Sequence, residues 1–302
     1  MAPRSVIFNG GTFRQVDDSA GRRAILFLRR MFRNRTTILG VLILAVLTVC
    51  AIFAEQVAPF SPTRQYYRDA MVAPNAKYWL GTDELGRDQL SRIIFGARVS
   101  MMVGFLAAFV GAAAGVALGL IAGFRGGFLD SFIMRVMDGL LAFPGLVLAI
   151  FLVTFLGPSL INAMLAVGIT FIPAFARVTR ANVLSIREKE FIEAAHTIGV
   201  ANVSIMFKHI LPNCLSPIIV QITLNIGWAI LMEASLSFLG LGVQPPTPTW
   251  GSMISYGRQF IELAPWLTTF PGLAIFFTVL GFNFIGDGLR EAMDPRLRQR
   301  LR

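Results

Sequence analysis

The distribution of charge constrains this chain more than any other feature. Stretches of roughly twenty residues carry almost no ionisable side chain, and short arginine-bearing segments separate them. About 20 helical residues cross the ~30 Å hydrocarbon core of a bilayer. The backbone there must satisfy its own polar groups, so each stretch predicts a membrane-spanning helix. Six segments qualify, at 36–56, 99–123, 137–157, 160–177, 217–241 and 267–286. Only 15% of the 302 residues are charged, where a soluble domain carries roughly 25%. A soluble multidomain fold is excluded, and the expected class is an all-α membrane protein. Little more than Gly157-Pro158-Ser159 separates the third and fourth segments, which predicts a tight turn between antiparallel helices.

A net charge of +10 and a pI near 10.7 raise the question of nucleic acid. Position answers it. Of the 27 Lys and Arg residues, 20 lie in the tails and in the 124–136 and 177–216 loops, and 7 lie in the 57–98 and 242–266 loops. Six spans put both tails on one side, and the positive-inside rule makes that side cytoplasmic. The charge therefore sets topology, and the expected partner is a lipid bilayer, not a nucleic acid. Residues 1–35 form a cytoplasmic tail, 36–286 a six-helix membrane domain with an outer loop at 57–98, and 287–302 a second cytoplasmic tail. Within the first tail, arginines flank apolar residues over 22–32, as in a helix lying flat among headgroups. That tail is too long for a secretory n-region, so the first span is expected to stay in the protein. Leu90, Ile93, Ile94 and Ala97 share one helical face before the second span. Cys50 and Cys214 fall near opposite membrane faces, too far apart to bridge.

Gly111, Gly115, Gly119 and Gly123 recur every four residues in the second span. They strip one face so that another helix can approach, either as fixed tight packing or as a sliding surface. Pro144, Pro173 and Pro271 lie inside spans and predict kinks. Glu233, in the fifth span, must face a cavity or a partner, since an isolated carboxylate there costs ~2.5 kcal/mol or more. It is a translocation-pathway residue, with Asn225 two turns earlier on the same face, or it makes a structural hydrogen bond. Asp138 and Asp287 lie near the cytoplasmic ends. No nucleophile–base set, no phosphate-cradling loop and no metal-ligand cluster is found, so the chain is not expected to be an enzyme or to hold a metal. The spans show no site for a coupling ion.

The 177–216 loop carries the informative motif. It reads Glu190-Phe191-Ile192-Glu193-Ala194-Ala195-His196-Thr197-Ile198-Gly199 and then, nine residues on, His209-Ile210-Leu211-Pro212. This resembles the Glu-Ala-Ala-x-x-x-Gly-x(9)-Ile-x-Leu-Pro loop of ABC importer permeases, with His209 at the nominal isoleucine position. Gly81-Thr82-Asp83-Glu84-Leu85-Gly86-Arg87-Asp88, Met137-Asp138-Gly139 through Pro144, Ala234 through Pro248, and Asp294-Pro295-Arg296-Leu297 resemble the C-type permeases of the peptide/nickel branch. The resemblance covers residues 30–298.

It implies a type I importer fold in the bacterial inner membrane, and half of a translocation path for di- or oligopeptides. Nickel, glutathione or another small solute is the alternative cargo; a secondary transporter or channel is the rival class. The implied partners are a homologous second permease, two cytoplasmic ATPase subunits and a periplasmic or lipid-anchored binding protein. ATP and Mg would be bound by the ATPase subunits and by no group in this chain. Glu190, Glu193, Ala194, Ala195, Gly199, Leu211 and Pro212 would form the ATPase-coupling loop. Phe191, Ile192, Ile198, Val203, Ile205, Met206 and Phe207 give it more apolar surface than a free loop carries.

Overall fold

A computed structural model describes residues 6–9, 12–15 and 27–293. The membrane domain is helical: α1 (Arg35–Ile52), α2 (Gln89–Arg125), α3 (Gly127–Leu141), α4 (Gly145–Leu156), α5 (Leu160–Arg187), α6 (Glu190–Thr197), α7 (Leu211–Phe238), α8 (Trp250–Gly257) and α9 (Trp266–Met293). A short antiparallel ribbon, β1 (Val6–Asn9) and β2 (Thr12–Gln15), precedes it. Nothing in the sequence reading anticipates that ribbon. Residues 27–31 are helical, while 22–26 of the expected interfacial helix, and Asp294 through Leu297, lie outside the described residues.

Five helices, α1, α2, α5, α7 with its preceding turns, and α9, are long and apolar enough to cross a bilayer. The third expected span is not one helix. It is α3 and α4, bent by 90° at Ala142-Phe143-Pro144. Pro144 has no N–H to continue the ladder, and its ring drives the preceding residue out of helical geometry. Pro173 and Pro271 lie within the unbroken helices α5 and α9. The α5 helix runs ten residues beyond the expected end at 177, because 178–187 keep apolar residues on the inner face at Val183 and Ile186. The fifth span also starts early. Residues Asn202–Ser204 and a wide turn at Ile205–Ile210 lead into α7, and the Leu211 N–H reaches back five residues to the Met206 carbonyl. That wider turn makes room for the Pro212 ring without ending the helix.

The α2 and α5 helices share the most extensive interface in the bundle. The glycine stripe of α2 lies on it. A Cβ placed at Gly111 would sit 2.7 Å from Phe171 Cβ, and one at Gly115 2.5 Å from Phe175 Cβ and 2.6 Å from the Ile172 carbonyl. Of the two readings of the stripe, close fixed packing accounts for this geometry. The α1 and α9 helices also pair, and their ends meet: Asn34 caps α1 by accepting from the Thr36 N–H and donates from Nδ2 to Glu291 (3.1 Å). The start of α1 and the end of α9 therefore share one face of the bundle. Arg98 donates to the Ala51 carbonyl at the opposite face (3.0 Å). Large apolar side chains such as Leu42, Ile52, Phe151 and Phe155 remain exposed on the perimeter, the surface that lipid or another membrane protein covers.

Candidate functional site

On the face that carries the start of α1 and the end of α9, α6 and the turns before α7 pack beneath α2 and α5. Glu190 and Glu193 stand in the first turn of α6, where carboxylates favour the helix dipole. Gly199 ends the helix at φ +78, its N–H donating to the His196 carbonyl and that of Val200 to the Ala195 carbonyl. Nothing approaches a Cβ built at Gly199, so the backbone conformation alone requires glycine. His196 stacks on Phe124 of α2 with 6.3 Å between centroids. Arg187 donates to the Gly123 carbonyl (2.9 Å), Arg180 pairs with Asp130 (2.5 Å) and Arg177 with Asp138 (2.6 Å). The unit is thereby anchored to α2 and, through α5, to α3.

The apolar residues of this loop divide in two. Ile192, Ala195, Ile205, Met206 and Ile210 are buried together with Val183, Ile186 and Cys214. That corrects the expectation of a uniformly exposed apolar loop, since Ile192, Ile205 and Met206 belong to this buried cluster. Phe191, Ile198, Val203 and Phe207 face outward, with 44%, 79%, 65% and 56% of their surface accessible. Glu190, Glu193, Ala194 and Pro212 are also exposed, and Leu211 is half-buried. The loop's inward residues thus share a core with α2, α5 and α7, and its outward apolar set is left uncovered among the described residues.

Glu233 is completely buried. One carboxylate oxygen accepts from the Ser237 hydroxyl (2.6 Å), which lies 3.5 Å from the Thr249 hydroxyl, and the other has no partner among the described residues. Thr249 caps α8, so the Ser237–Thr249 contact links α7 to α8, while the hydrogen bond to Glu233 stays within α7. Asn225 is buried too, accepting from Gln221 Nε2 (3.3 Å). The geometry favours the structural alternative for Glu233. Glu233→Gln is accordingly expected to retain uptake, and Glu233→Ala to lower stability by about 1–3 kcal/mol through the lost hydrogen bond and cavity. Thermal unfolding and uptake assays read both; a loss of uptake in the Gln variant with unchanged stability restores the pathway role.

A vestibule of about 610 Å³ opens among α5, α7 and α9, lined by Asn182, Asn213, Ser216, Gln221, Leu224 and Arg290 among others. These residues escaped the sequence reading. Asn213, Ser216, Val220 and Leu224 follow helical spacing, but with the span assumed to begin at 217 the first two counted as loop.

The opposite face is capped by residues 58–88. Asp83 organises the cap: Oδ1 accepts from the Leu85 and Arg87 N–H groups, and Oδ2 from Arg87 Nε (2.6 Å). Asp88 caps α2 through Ser91 (2.8 Å), and Gly86 turns at φ +73 where a side chain would strike the Tyr66 carbonyl. Trp266 Nε1 donates to the Thr82 carbonyl and Trp250 Nε1 to that of Ile93, fastening cap and α2 to α8 and α9. Hydrogen bonds from Lys77 and Tyr78 hold the half-buried Asp69 carboxyl below the usual carboxylate range. A pocket of about 190 Å³ lies between Glu84, Leu85, Arg87 and Arg92 on one side and Pro245, Pro246, Thr247, Ser252 and Tyr256 on the other. Among the described residues no three His, Cys, Asp or Glu side chains gather at metal-ligating distances.

Comparison with known proteins agrees with this architecture. Residues 115–299 match the family described as the binding-protein-dependent transport system inner membrane component. Residues 24–76 match the N-terminal TM domain of oligopeptide transport permease C. The dipeptide transport system permease protein DppC of Alkalihalophilus pseudofirmus is 48% identical over 270 residues, 89% of each chain. The di/tripeptide permease DppC of Pseudomonas aeruginosa is 44% identical over 90% of this chain and 92% of its own. The glutathione permease GsiD of Shigella flexneri is 47% identical over 90% of each. A solved inward-facing structure of the MetNI methionine ABC transporter has the same fold, with TM-score 0.56 and 18% identity over 68% of this chain and 98% of that one. The chain therefore belongs to the inner-membrane permeases of binding-protein-dependent transport systems, in the branch of the oligopeptide C-type subunits.

Proposed function

We propose that the chain forms half of a path importing di- or oligopeptides, paired with a homologous permease and driven by two ATPase subunits. The observation that carries this reading is the outward apolar set Phe191, Ile198, Val203 and Phe207 on a loop whose inward residues pack into a core shared with α2, α5 and α7. A partner's cleft closing on this loop would push directly on those membrane helices. Its face is the cytoplasmic one on the arginine count, and the cap at 58–88 then lies outside, where a binding protein delivers substrate. ATP and Mg belong to the ATPase subunits. The peptide assignment is supported by the relatives named for dipeptides, di/tripeptides and glutathione, the last favouring a second cargo of the same chemical class.

Uptake of labelled dialanine into vesicles holding the full complex tests cargo, with glutathione and a nickel salt as competitors. If neither labelled dialanine nor labelled glutathione is taken up, the peptide reading fails. Reversing the exposed Glu193 to Arg is expected to cut uptake at least tenfold while ATP is still hydrolysed. Uptake unaffected by that change points to a carrier that does not use this loop.

A further inference from the structure

The vestibule among α5, α7 and α9 presents polar groups that the bundle itself leaves unused. Asn182 and Asn213 each donate Nδ2 to the carbonyl four residues back, at 2.7 Å, and Gln221 donates Nε2 to Asn225 (3.3 Å). All three line the space, so three amide oxygens stand on its wall with no hydrogen bond among the described residues. Asn225 lies one turn deeper on α7 and is only 6% exposed, yet its own Nδ2 has no partner. A buried amide donor in that position calls for an acceptor. Arg290 is the one charged residue of the lining, and its guanidinium makes no ion pair among the described residues. No carboxylate lines the space to compete for it.

The vestibule opens toward the face assigned to the cytoplasm. Arg290 adjoins Glu291, which meets the start of α1, and Asn213 lies just beyond the coupling loop. Its volume of about 610 Å³ falls within the roughly 300–1,000 Å³ of small-molecule sites. Amide oxygens that accept, set against one guanidinium that donates, match the N–H groups and the terminal carboxylate that every peptide has. Val220, Leu224 and Met293 add apolar wall that tolerates side chains of any kind. We infer that this vestibule binds peptide from the cytoplasmic side, Arg290 taking its C-terminal carboxylate, so that accumulated product slows further uptake. This rests on the importer reading above. The guanidinium–carboxylate fork gives the site direction, and water at its open mouth keeps the pair weak enough to release.

The test uses the complete transporter in proteoliposomes, with ATP in the lumen and the binding protein and labelled dialanine outside. The lumen is preloaded with unlabelled dialanine, dialanine amide or N-acetyl-dialanine, and each initial rate is scaled to that of the same variant with a peptide-free lumen. Lumenal dialanine is expected to lower the rate as its concentration rises. Dialanine amide lacks the carboxylate and should need roughly five- to twentyfold more for the same inhibition. N-acetyl-dialanine keeps the carboxylate and should match dialanine within about twofold. Arg290→Gln, at an exposed position, should bring dialanine to the level of its amide, with Arg290→Lys in between. Gln221→Leu should weaken both ligands and preserve the gap between them. Uptake indifferent to lumenal dialanine overturns the inference, and so does equal inhibition by dialanine and its amide. Inhibition that Arg290→Gln leaves unchanged places product binding on another subunit and overturns it as well. An absence of uptake into peptide-free vesicles fails the importer reading, and the inference falls with it.

Discussion

Aspartate at both Ile198 and Phe207 is expected to strip the complex of its ATPase subunits and to reduce uptake to background. Both side chains are more than half exposed and stand outside the buried cluster of Ile192, Ile205 and Ile210. The permease itself should therefore fold and reach the membrane. In a closed interface each new carboxylate would have to be desolvated without a partner, and truncating a central apolar anchor alone costs about 2 kcal/mol or more. Two such changes lower an association constant by roughly a thousandfold or more. Co-purification of tagged permease with its ATPase reads the outcome directly. A variant that keeps its ATPase subunits at wild-type stoichiometry shows that the outward apolar set is not the docking surface. Ile210→Asp is the contrasting case, because it breaks the core of the unit and should be lost before assembly.

Gly115→Leu is expected to yield almost no folded permease. The α2 and α5 backbones leave no room at this point: a Cβ alone would meet Phe175 Cβ at 2.5 Å and the Ile172 carbonyl at 2.6 Å. Both obstacles are parts of the opposing helix and not the free end of a flexible side chain. Overpacking a core with room to adjust costs about 1–3 kcal/mol, and a helix-to-helix contact repeated at Gly111, Gly119 and Gly123 has less freedom than that. Gly272→Leu, where nothing lies within 4 Å of an added Cβ, serves as the control and should fold. Membrane-extracted yield and monodispersity measure both. Normal yield for Gly115→Leu means that α2 and α5 separate easily, and the sliding alternative for the stripe then regains ground.

Much of this architecture was legible because hydrocarbon enforces a simple rule on composition. The positions of α1, α2, α5, α7 and α9 follow from charge-free length, and residues 190–199 fall on a separate short helix between α5 and α7. The divergences have local causes. Length and hydropathy cannot separate a spanning helix from two shorter ones joined at Pro144, since 137–157 is equally apolar in either case. The early start of the fifth span was hidden because Lys208, His209 and Asn213 make 202–216 too polar to count as part of a span, although the helix runs through the wide turn at Ile205–Ile210 into α7. Which of the loop's apolar residues point inward depends on α5 continuing to Arg187, a tertiary fact. The pocket at Arg92 was beyond reach, since its walls are more than 150 residues apart in sequence.

The right-angle turn at Pro144 bears on lipid. The 12 residues of α4 rise about 18 Å even when upright, well short of a ~30 Å hydrocarbon core. Beside Phe151 and Phe155 the acyl chains must therefore shorten, or a neighbouring subunit must fill the gap, at a fraction of a kcal/mol per Å of mismatch. Varying the acyl-chain length of reconstituted bilayers is therefore expected to change uptake through this contact, with no lipid-binding residue required.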